Sequence, residues 1–222
     1  MNHAMTRSPV ARALLASAAL ASLAACSQSG EIVLNEGVGI TAVRSPCPAV
    51  GIPDYTGDVT TFRVPGNASA ANIDVVAAMT NVRSQCSESS DRIYSNVSFD
   101  VLARRTDTAQ AQQVTLPYFV SVLQGGNSVV SKRVGSVTVN FAPGQERASA
   151  SGQGGAYVSR AAATLPADIR ERLTRKRRSG DADAALDPLS DPEVRAAVDR
   201  ASFEVLVGFQ LNQGQLAYNA TR

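Results

Sequence analysis

The 222-residue chain contains no tryptophan, a single histidine and only three cysteines. The histidine is His3, so the rest of the chain has no imidazole to act as a general base or to bind zinc. Ser-His-Asp and Cys-His catalytic groups therefore cannot form there. No other catalytic constellation stands out, so we expect a protein that is not an enzyme and that holds no metal.

An excess of charge of either sign is also missing. The chain has 21 Lys+Arg and 19 Asp+Glu, and residues 1–25 contain Arg7, Arg12 and no acidic residue. Without that segment, basic and acidic side chains are equal in number. Phosphate binding requires a concentrated positive surface, so nucleic acid is not an expected partner. With 44% hydrophobic and 18% charged residues, the composition is typical of a globular protein.

Residues 1–25 have the pattern of a secretory signal peptide. The basic stretch precedes 13–25, an unbroken run of apolar and small residues. This run is too short to remain in a bilayer as a spanning helix, which takes about 20 apolar residues. We therefore expect the segment to be removed, and His3 with it.

The end of this run, Leu23-Ala24-Ala25-Cys26, resembles the lipobox of bacterial lipoproteins. The resemblance covers residues 1–26 and no other part of the chain. It implies that the Cys26 thiol receives a diacylglyceryl group, that cleavage precedes Cys26, and that the new amino group is acylated. Such chains give stable membrane anchoring, and no other cofactor is expected.

Ser27 follows the lipobox cysteine. In Gram-negative lipoproteins an aspartate there favours the inner membrane, so the resemblance implies the periplasmic face of the outer membrane. We expect residues 26–44 to be a tether, although the β-branched runs 31–34 and 39–43 leave a first strand open. The expected partners are the membrane, through the lipid, and another envelope protein or a glycan.

Cys47 and Cys86 are the two cysteines beyond the lipobox. In an oxidising compartment a disulfide between them is the default. It would hold the Pro-rich segment around Cys47 against the rest of the domain. Two free thiols are the alternative.

From residue 58 onward the dominant hydrophobic period is two. The alternation is clearest in 96–103, 135–141 and 203–211, and 125–127 reads as a hairpin turn. The pattern predicts an all-β fold, an antiparallel two-sheet sandwich of immunoglobulin- or fibronectin-like type. We assign residues 45–222 to one such domain, and "QLAYNATR" at the end of the chain suggests a last edge strand.

The segment 143–201 interrupts this pattern and is interpreted as a connection that carries one or two short helices. "SGQGGA" at 151–156 is predicted to be a glycine-rich loop. A helical insertion is expected at about 160–201.

Two helices are expected within that insertion. One lies in 165–178, where Ile169 and Leu173 share a face. The other lies in 190–201, with Asp191 as its N-cap and Pro192 in its first turn.

Arg175, Lys176, Arg177 and Arg178 form the chain's one basic cluster. It is either a contact for anionic headgroups or an acidic partner, or a solvated helix end whose cations offset the helix dipole.

Asp181, Asp183 and Asp187 suggest a calcium loop, but Ala185, Leu186 and Pro192 stand where an EF-hand needs an oxygen ligand, glycine and glutamate. A solvated acidic loop is the favoured interpretation, and a loose calcium site is the alternative.

The sequence thus predicts a non-catalytic binding or structural module of the cell envelope. The alternative is a carboxylate-dependent envelope enzyme such as a glycan hydrolase, which needs only an acid/base pair. Asp100 and Glu204 each stand on the polar side of a predicted strand, and nothing in the sequence marks them as a pair.

Overall fold

The computed structural model describes residues 45–221, in which strands account for most of the regular structure. The chain divides into two compact units, whose described parts are 45–175 with 185–221 and, for the smaller unit, 176–184. Every strand and helix below belongs to the larger unit. The signal segment, Cys26 and the tether, including its two β-branched runs, lie outside the described residues.

Eight described strands form two four-stranded sheets. The first sheet has the order β1-β8-β5-β6 and the second has the order β2-β3-β4-β7. β1 pairs with β8 in parallel, and all other neighbours are antiparallel. The strands are β1 (Ala49–Gly51), β2 (Asp58–Phe62), β3 (Ile73–Glu88), β4 (Arg92–Arg105), β5 (Gln112–Gln124), β6 (Ser128–Phe141), β7 (Arg147–Ser159) and β8 (Phe203–Phe209).

One apolar core joins side chains of both sheets, so the fold is sandwich-like. The predicted alternation is confirmed, because successive strand residues point to opposite faces and every second residue is buried from 97 to 103, from 137 to 141 and from 205 to 209. The rings of Phe99 in β4 and Tyr118 in β5 meet edge to face, with centroids 4.9 Å apart. The buried alternating residues are Val97, Phe99, Val101, Ala103, Val137, Val139, Phe141, Val205, Val207 and Phe209.

The predicted hairpin between β5 and β6 is also confirmed. Gly125 and Gly126 in its turn have φ values of 64° and 77°. Such positive values favour glycine, which has no Cβ to clash with the backbone. The turn fixes the register that brings β5 and β6 together from Gln112 and Phe141 to Gln124 and Ser128.

Four short α-helices and two 3₁₀ helices, Ala70–Asn72 and Pro188–Ser190, complete the described fold. The α-helices are α1 (Arg160–Ala163), α2 (Ala167–Thr174), α3 (Pro192–Ala201) and α4 (Gln213–Thr221). The two predicted helices are confirmed, but α2 ends at Thr174, so residues 175–178 of the predicted segment lie beyond the helix. Ile169 and Leu173 of α2 pack with Val194 and Val198 of α3 in a second, smaller apolar cluster. The carboxylate of Asp191 accepts hydrogen bonds from the backbone of residues 193 and 194, as an N-cap does. Within residues 45–221 no helix has the length and apolarity to cross a membrane.

The predicted loop at 151–156 is wrong, because these residues lie inside β7. Their glycines are required by close packing rather than by a turn. A Cβ on Gly154 would lie 2.6 Å from Val120 Cγ2, and one on Gly152 would meet the ring of Phe99. A glycine in a strand often marks such a close approach.

The predicted edge strand at the end of the chain is wrong as well, because these residues form α4. Asn212 and Gln215 explain the difference: each side chain accepts a hydrogen bond from the other's backbone N–H. This reciprocal pair is a capping box, which starts a helix. Asn219 then donates to the carbonyl oxygens of Tyr55 and Asp58, and these bonds fix α4 beside β2.

Arg105, the last residue of β4, is a buried cation. Its side chain is 2% exposed and donates to the carbonyl oxygens of Gln110, Ala142 and Gln145, with a longer contact to Thr108. Because it bonds both the loop before β5 and the connection from β6 to β7, it joins two segments that are distant in sequence.

Candidate functional site

The predicted disulfide between Cys47 and Cys86 is present, with a sulfur–sulfur distance of 2.04 Å. It links the segment before β1, in the first sheet, to β3 in the second. The described chain around Cys47 has little regular structure of its own, so the bridge holds it in place.

The four residues of the basic cluster do not form one exposed patch. Arg175, Lys176 and Arg178 are exposed, whereas Arg177 is 4% exposed. Arg177 Nε lies 3.5 Å from a carboxylate oxygen of Asp183. Contact with an anionic surface stays a prediction, and it concerns the three exposed cations.

The acidic residues that follow the cluster have local roles. The carboxylate of Asp181 accepts from the backbone N–H of Arg178, and that of Asp187 accepts from Leu189. Within residues 45–221, no three histidine, cysteine or carboxylate side chains are grouped so that they could hold a metal ion.

Asp100 and Glu204 are not brought together, since they lie on different sheets. Asp100 accepts hydrogen bonds from the Asn81 amide at 2.8 Å and from the Ser151 hydroxyl at 2.8 Å. These donors stabilise the charged form and hold the pKa of Asp100 below its usual value, Asn81 more strongly than Ser151. Asn81 itself has a φ of 52° beside a register shift in the pairing of β3 with β4. The cluster thus braces an irregular point in the sheet.

A cavity of about 650 Å³ lies where α1, α2 and the end of α3 meet the first sheet. Leu165 and Phe203 supply apolar surface, and Arg170, Asp199 and Glu204 supply charge. This mixture suits a polar ligand held by a few directed contacts. It also places Glu204 in one cavity with a second carboxylate.

A smaller cleft of about 300 Å³ opens between the edges of the two sheets. β6 is one of the two edge strands of the first sheet, and β7 is one of the two edge strands of the second. The cleft is lined by Tyr94, Tyr118 and Tyr157, and by the guanidinium-bearing side chain of Arg133. Tyrosine and arginine are among the residue types most enriched where proteins bind partners.

Glycines give this cleft its shape. A Cβ on Gly135 of β6 would lie 2.7 Å from the ring of Tyr118, and one on Gly155 of β7 would meet Tyr94. Gly154 faces Val120 and the Tyr118 ring. With no side chains at these points, the tyrosines lie against bare backbone, and the cleft floor is aromatic.

The rings have different environments within the cleft. Tyr118 is buried, and its hydroxyl donates a 2.6 Å hydrogen bond to the carbonyl oxygen of Gln153 in the opposite sheet. Tyr94 and Tyr157 are cross-strand partners with ring centroids 4.8 Å apart, and Tyr157 is exposed. The cleft therefore has one fixed aromatic wall and one accessible wall.

The first half of β6 extends the cleft as an exposed edge. Every residue from Ser128 to Val134 is exposed, and three of them are valines. Val129 is 61% exposed, Val130 50% and Val134 62%. We name Ser128–Val134 the β6 edge.

Sequence reasoning missed both the cleft and the β6 edge. The predicted hairpin includes β5 and β6. Whether β6 is an edge strand depends on the order of all strands in the sheet, which the hairpin pattern does not specify. A usable signal was the glycine pattern: Gly152, Gly154 and Gly155 occur in a run that alternates small and polar residues.

Comparison with protein-family models, with curated proteins and with solved structures found no match for this chain.

Proposed function

We propose that the protein is a lipid-anchored component of the outer membrane that faces the periplasm and acts there as a non-catalytic binding or structural module. The lipobox resemblance at residues 1–26 supports the anchor. The Cys47–Cys86 disulfide supports an oxidising compartment, because such bonds are rare where thiols are kept reduced.

The observation that carries the binding role is the cleft between β6 and β7. Its described lining consists of tyrosine, valine, glycine and one arginine, and includes no carboxylate, thiol or histidine. These groups offer apolar contact, hydroxyl hydrogen bonds and a positive charge. They offer no acid/base pair, so the cleft suits holding a partner rather than transforming one.

An immunoglobulin- or fibronectin-like topology stays a prediction. Constant-type immunoglobulin domains have sheets ordered ABED and CFG, in which no three consecutive strands are neighbours. Here β2, β3 and β4 are neighbours in one sheet, so the strand order departs from that arrangement.

Photo-crosslinking in intact cells tests the binding role. A photoreactive phenylalanine analogue replaces Val134 at the cleft in the full chain. Leu102 is the matched control, because it is also an exposed apolar strand residue but lies away from the cleft. We expect a discrete adduct with an envelope protein or glycan from position 134 only. Equal adducts from both positions, or none from position 134, would contradict the proposal.

A carboxylate-dependent glycan hydrolase is the second candidate, favoured by the joint presence of Asp199 and Glu204 in the larger cavity. The test is release of soluble fragments from purified peptidoglycan by the full chain, with Glu204→Gln and Asp199→Asn as variants. Release that either variant abolishes would establish the enzyme, and no release by the unmodified chain would favour the binding module.

A further inference from the structure

We infer that the β6 edge binds an acidic, extended polypeptide segment, which adds to the first sheet as a further strand beside β6. The inference rests on the proposed binding function and names the class of partner.

The backbone of β6 is the first support. Among the described strands β6 is hydrogen-bonded only to β5; β7 lies near its other side without pairing with it, so the backbone groups on that side bond to no described strand. Backbone donors and acceptors left unpaired at a sheet edge are a template for another strand. Peptides recognised in this way gain main-chain hydrogen bonds, and their alternate side chains supply specificity.

The apolar side chains of the edge are the second support. Val129, Val130 and Val134 are exposed within six consecutive positions. Single exposed valines are ordinary on a protein surface, but a cluster along one open edge is unusual. A strand added beside β6 would cover part of this surface.

The two cations of the edge define the charge of the partner. Lys132 and Arg133 are consecutive, so they point to opposite faces of the sheet. Lys132 Nζ lies 4.8 Å from the centroid of the Phe119 ring, and Arg133 lines the tyrosine cleft. Carboxylates on both faces of an added strand would each find a cation, whereas a basic strand would be repelled.

The same charges argue against a second copy of this chain as the occupant. Pairing of two β6 edges would bring two copies of Lys132 and Arg133 into one short ladder. Exposed lysines on edge strands are a common device against such self-pairing. An acidic strand can still bind at this edge, because its carboxylates would be attracted to Lys132 and Arg133.

The cleft adds a place for one side chain of the bound segment. It lies beside Arg133 and Gly135, and its space of about 300 Å³ is open towards Tyr157. A side chain from the added strand that points inward at this level would enter it. The β6 edge and the cleft therefore act as one surface, the edge for the backbone and the cleft for a side chain.

Binding of synthetic peptides to the full chain in detergent micelles tests the inference. The probe is a ten-residue peptide in which pairs of glutamates alternate with pairs of valines, so that carboxylates lie on both faces of the strand, and its counterpart carries lysine in place of glutamate. Two further peptides repeat the acidic sequence with alternate backbone nitrogens methylated, one along each edge of the strand. Fluorescence anisotropy gives each Kd, and hydrogen exchange by mass spectrometry locates the peptide.

We expect the acidic peptide to bind at least tenfold more tightly than the lysine peptide and to slow exchange in 128–134. The double change Lys132→Glu with Arg133→Glu should weaken its binding roughly tenfold. Arg147→Glu with Arg195→Glu is the matched control, because both arginines are exposed, at the start of β7 and in the first half of α3, outside the β6 edge, and the change in net charge is the same. This control should leave the Kd within about twofold. Methylation along one peptide edge should abolish binding, and along the other edge should preserve it.

Several outcomes would overturn the inference. They are equal affinity for the two peptides, an equal loss in the control variant, indifference to methylation, or protection outside 128–134. Concentration-dependent dimerisation that protects 128–134 without peptide would make a second copy the occupant instead. If the peptides fail but the adduct at Val134 forms, the binding function stands with another class of partner; if both fail, both proposals are wrong.

Discussion

The hydroxyl of Tyr118 in the first sheet donates a 2.6 Å hydrogen bond to the carbonyl oxygen of Gln153 in the second. This bond lies at the edge of the sandwich where the edge strands β6 and β7 form the cleft. It joins the two sheets beside the space that we propose to be the binding site. A polar link of this kind keeps one wall of the cleft in place while the other is exposed.

Replacing Tyr118 with phenylalanine tests that link. The variant keeps the ring contact with Phe99 and loses one hydrogen bond, so it should lose about 1 kcal/mol of unfolding free energy in urea denaturation. Tyr157→Phe is the control, because Tyr157 is exposed, and it should change stability by less than about 0.5 kcal/mol. Equal effects of the two variants would contradict a structural role for the Tyr118 hydroxyl.

Removing the disulfide should destabilise the domain strongly. The bridge closes a loop with a sequence separation of 39 residues. The chain-entropy model assigns about 4 kcal/mol to a loop of this length. Denaturant titration of the Cys47→Ala, Cys86→Ala double variant should therefore show a much lower midpoint. Detection of thiols from both cysteines in denatured protein that has not been reduced would show that the bridge is absent.

Arg105 and its neighbour Arg104 should respond differently to substitution. Arg105→Met leaves the carbonyl oxygens of Gln110, Ala142 and Gln145 without their shared charged donor, so we expect a loss of about 3 kcal/mol. Arg105→Lys should recover only part of this loss, because an ammonium lacks the planar fork. Arg104→Met removes only an exposed ion pair with Glu146 and should cost less than about 1 kcal/mol. Thermal and urea denaturation of the three variants measures the difference.

The lowered pKa of Asp100 predicts a dependence of stability on pH. A carboxyl with a folded-state pKa below its unfolded value stabilises the fold above the unfolded pKa, and the contribution disappears as pH falls through the folded pKa. Stability should therefore decline more steeply below about pH 4 in the unmodified protein than in Asp100→Asn. Asn81→Gly permits the positive φ at residue 81 but removes the main donor, so it should raise the pKa of Asp100. A carbon-detected NMR titration that finds no rise would contradict this account.

Neutralising the exposed members of the basic cluster tests its proposed contact with an anionic surface. The triple change of Arg175, Lys176 and Arg178 to glutamine should weaken binding to phosphatidylglycerol vesicles if the contact exists, and the loss should shrink at high salt. Arg177 stays unchanged because it is buried. If neither the variant nor salt changes vesicle binding, the three residues do not contact an anionic surface and are simply solvated.

Much of the strand pattern is predictable from sequence because burial imposes a period of two. Val97, Phe99 and Val101 alternate with polar residues, and the structure buries all three. The same period continues to Arg105, which shares their face and is buried. The burial of Arg105 is not predictable from its residue type, because two consecutive arginines ordinarily indicate an exposed surface.

The errors came from residues whose role depends on partners distant in the chain. Position 154 of β7 requires glycine because Val120 of the other sheet leaves no room for a Cβ there. The tyrosine cleft likewise joins side chains from β4, β5 and β7, so no local pattern marks it. The start of α4 was predictable from the sequence, since the spacing of Asn212 and Gln215 is that of a capping box.

The most direct test of the central proposal, a lipid-anchored envelope protein, is mass spectrometry of the N-terminal tryptic fragment from membrane-extracted protein. We predict a fragment of residues 26–44 that begins at Cys26 and carries a diacylglyceryl thioether and an N-linked acyl chain. A fragment of residues 13–44 with an unmodified Cys26 would contradict it.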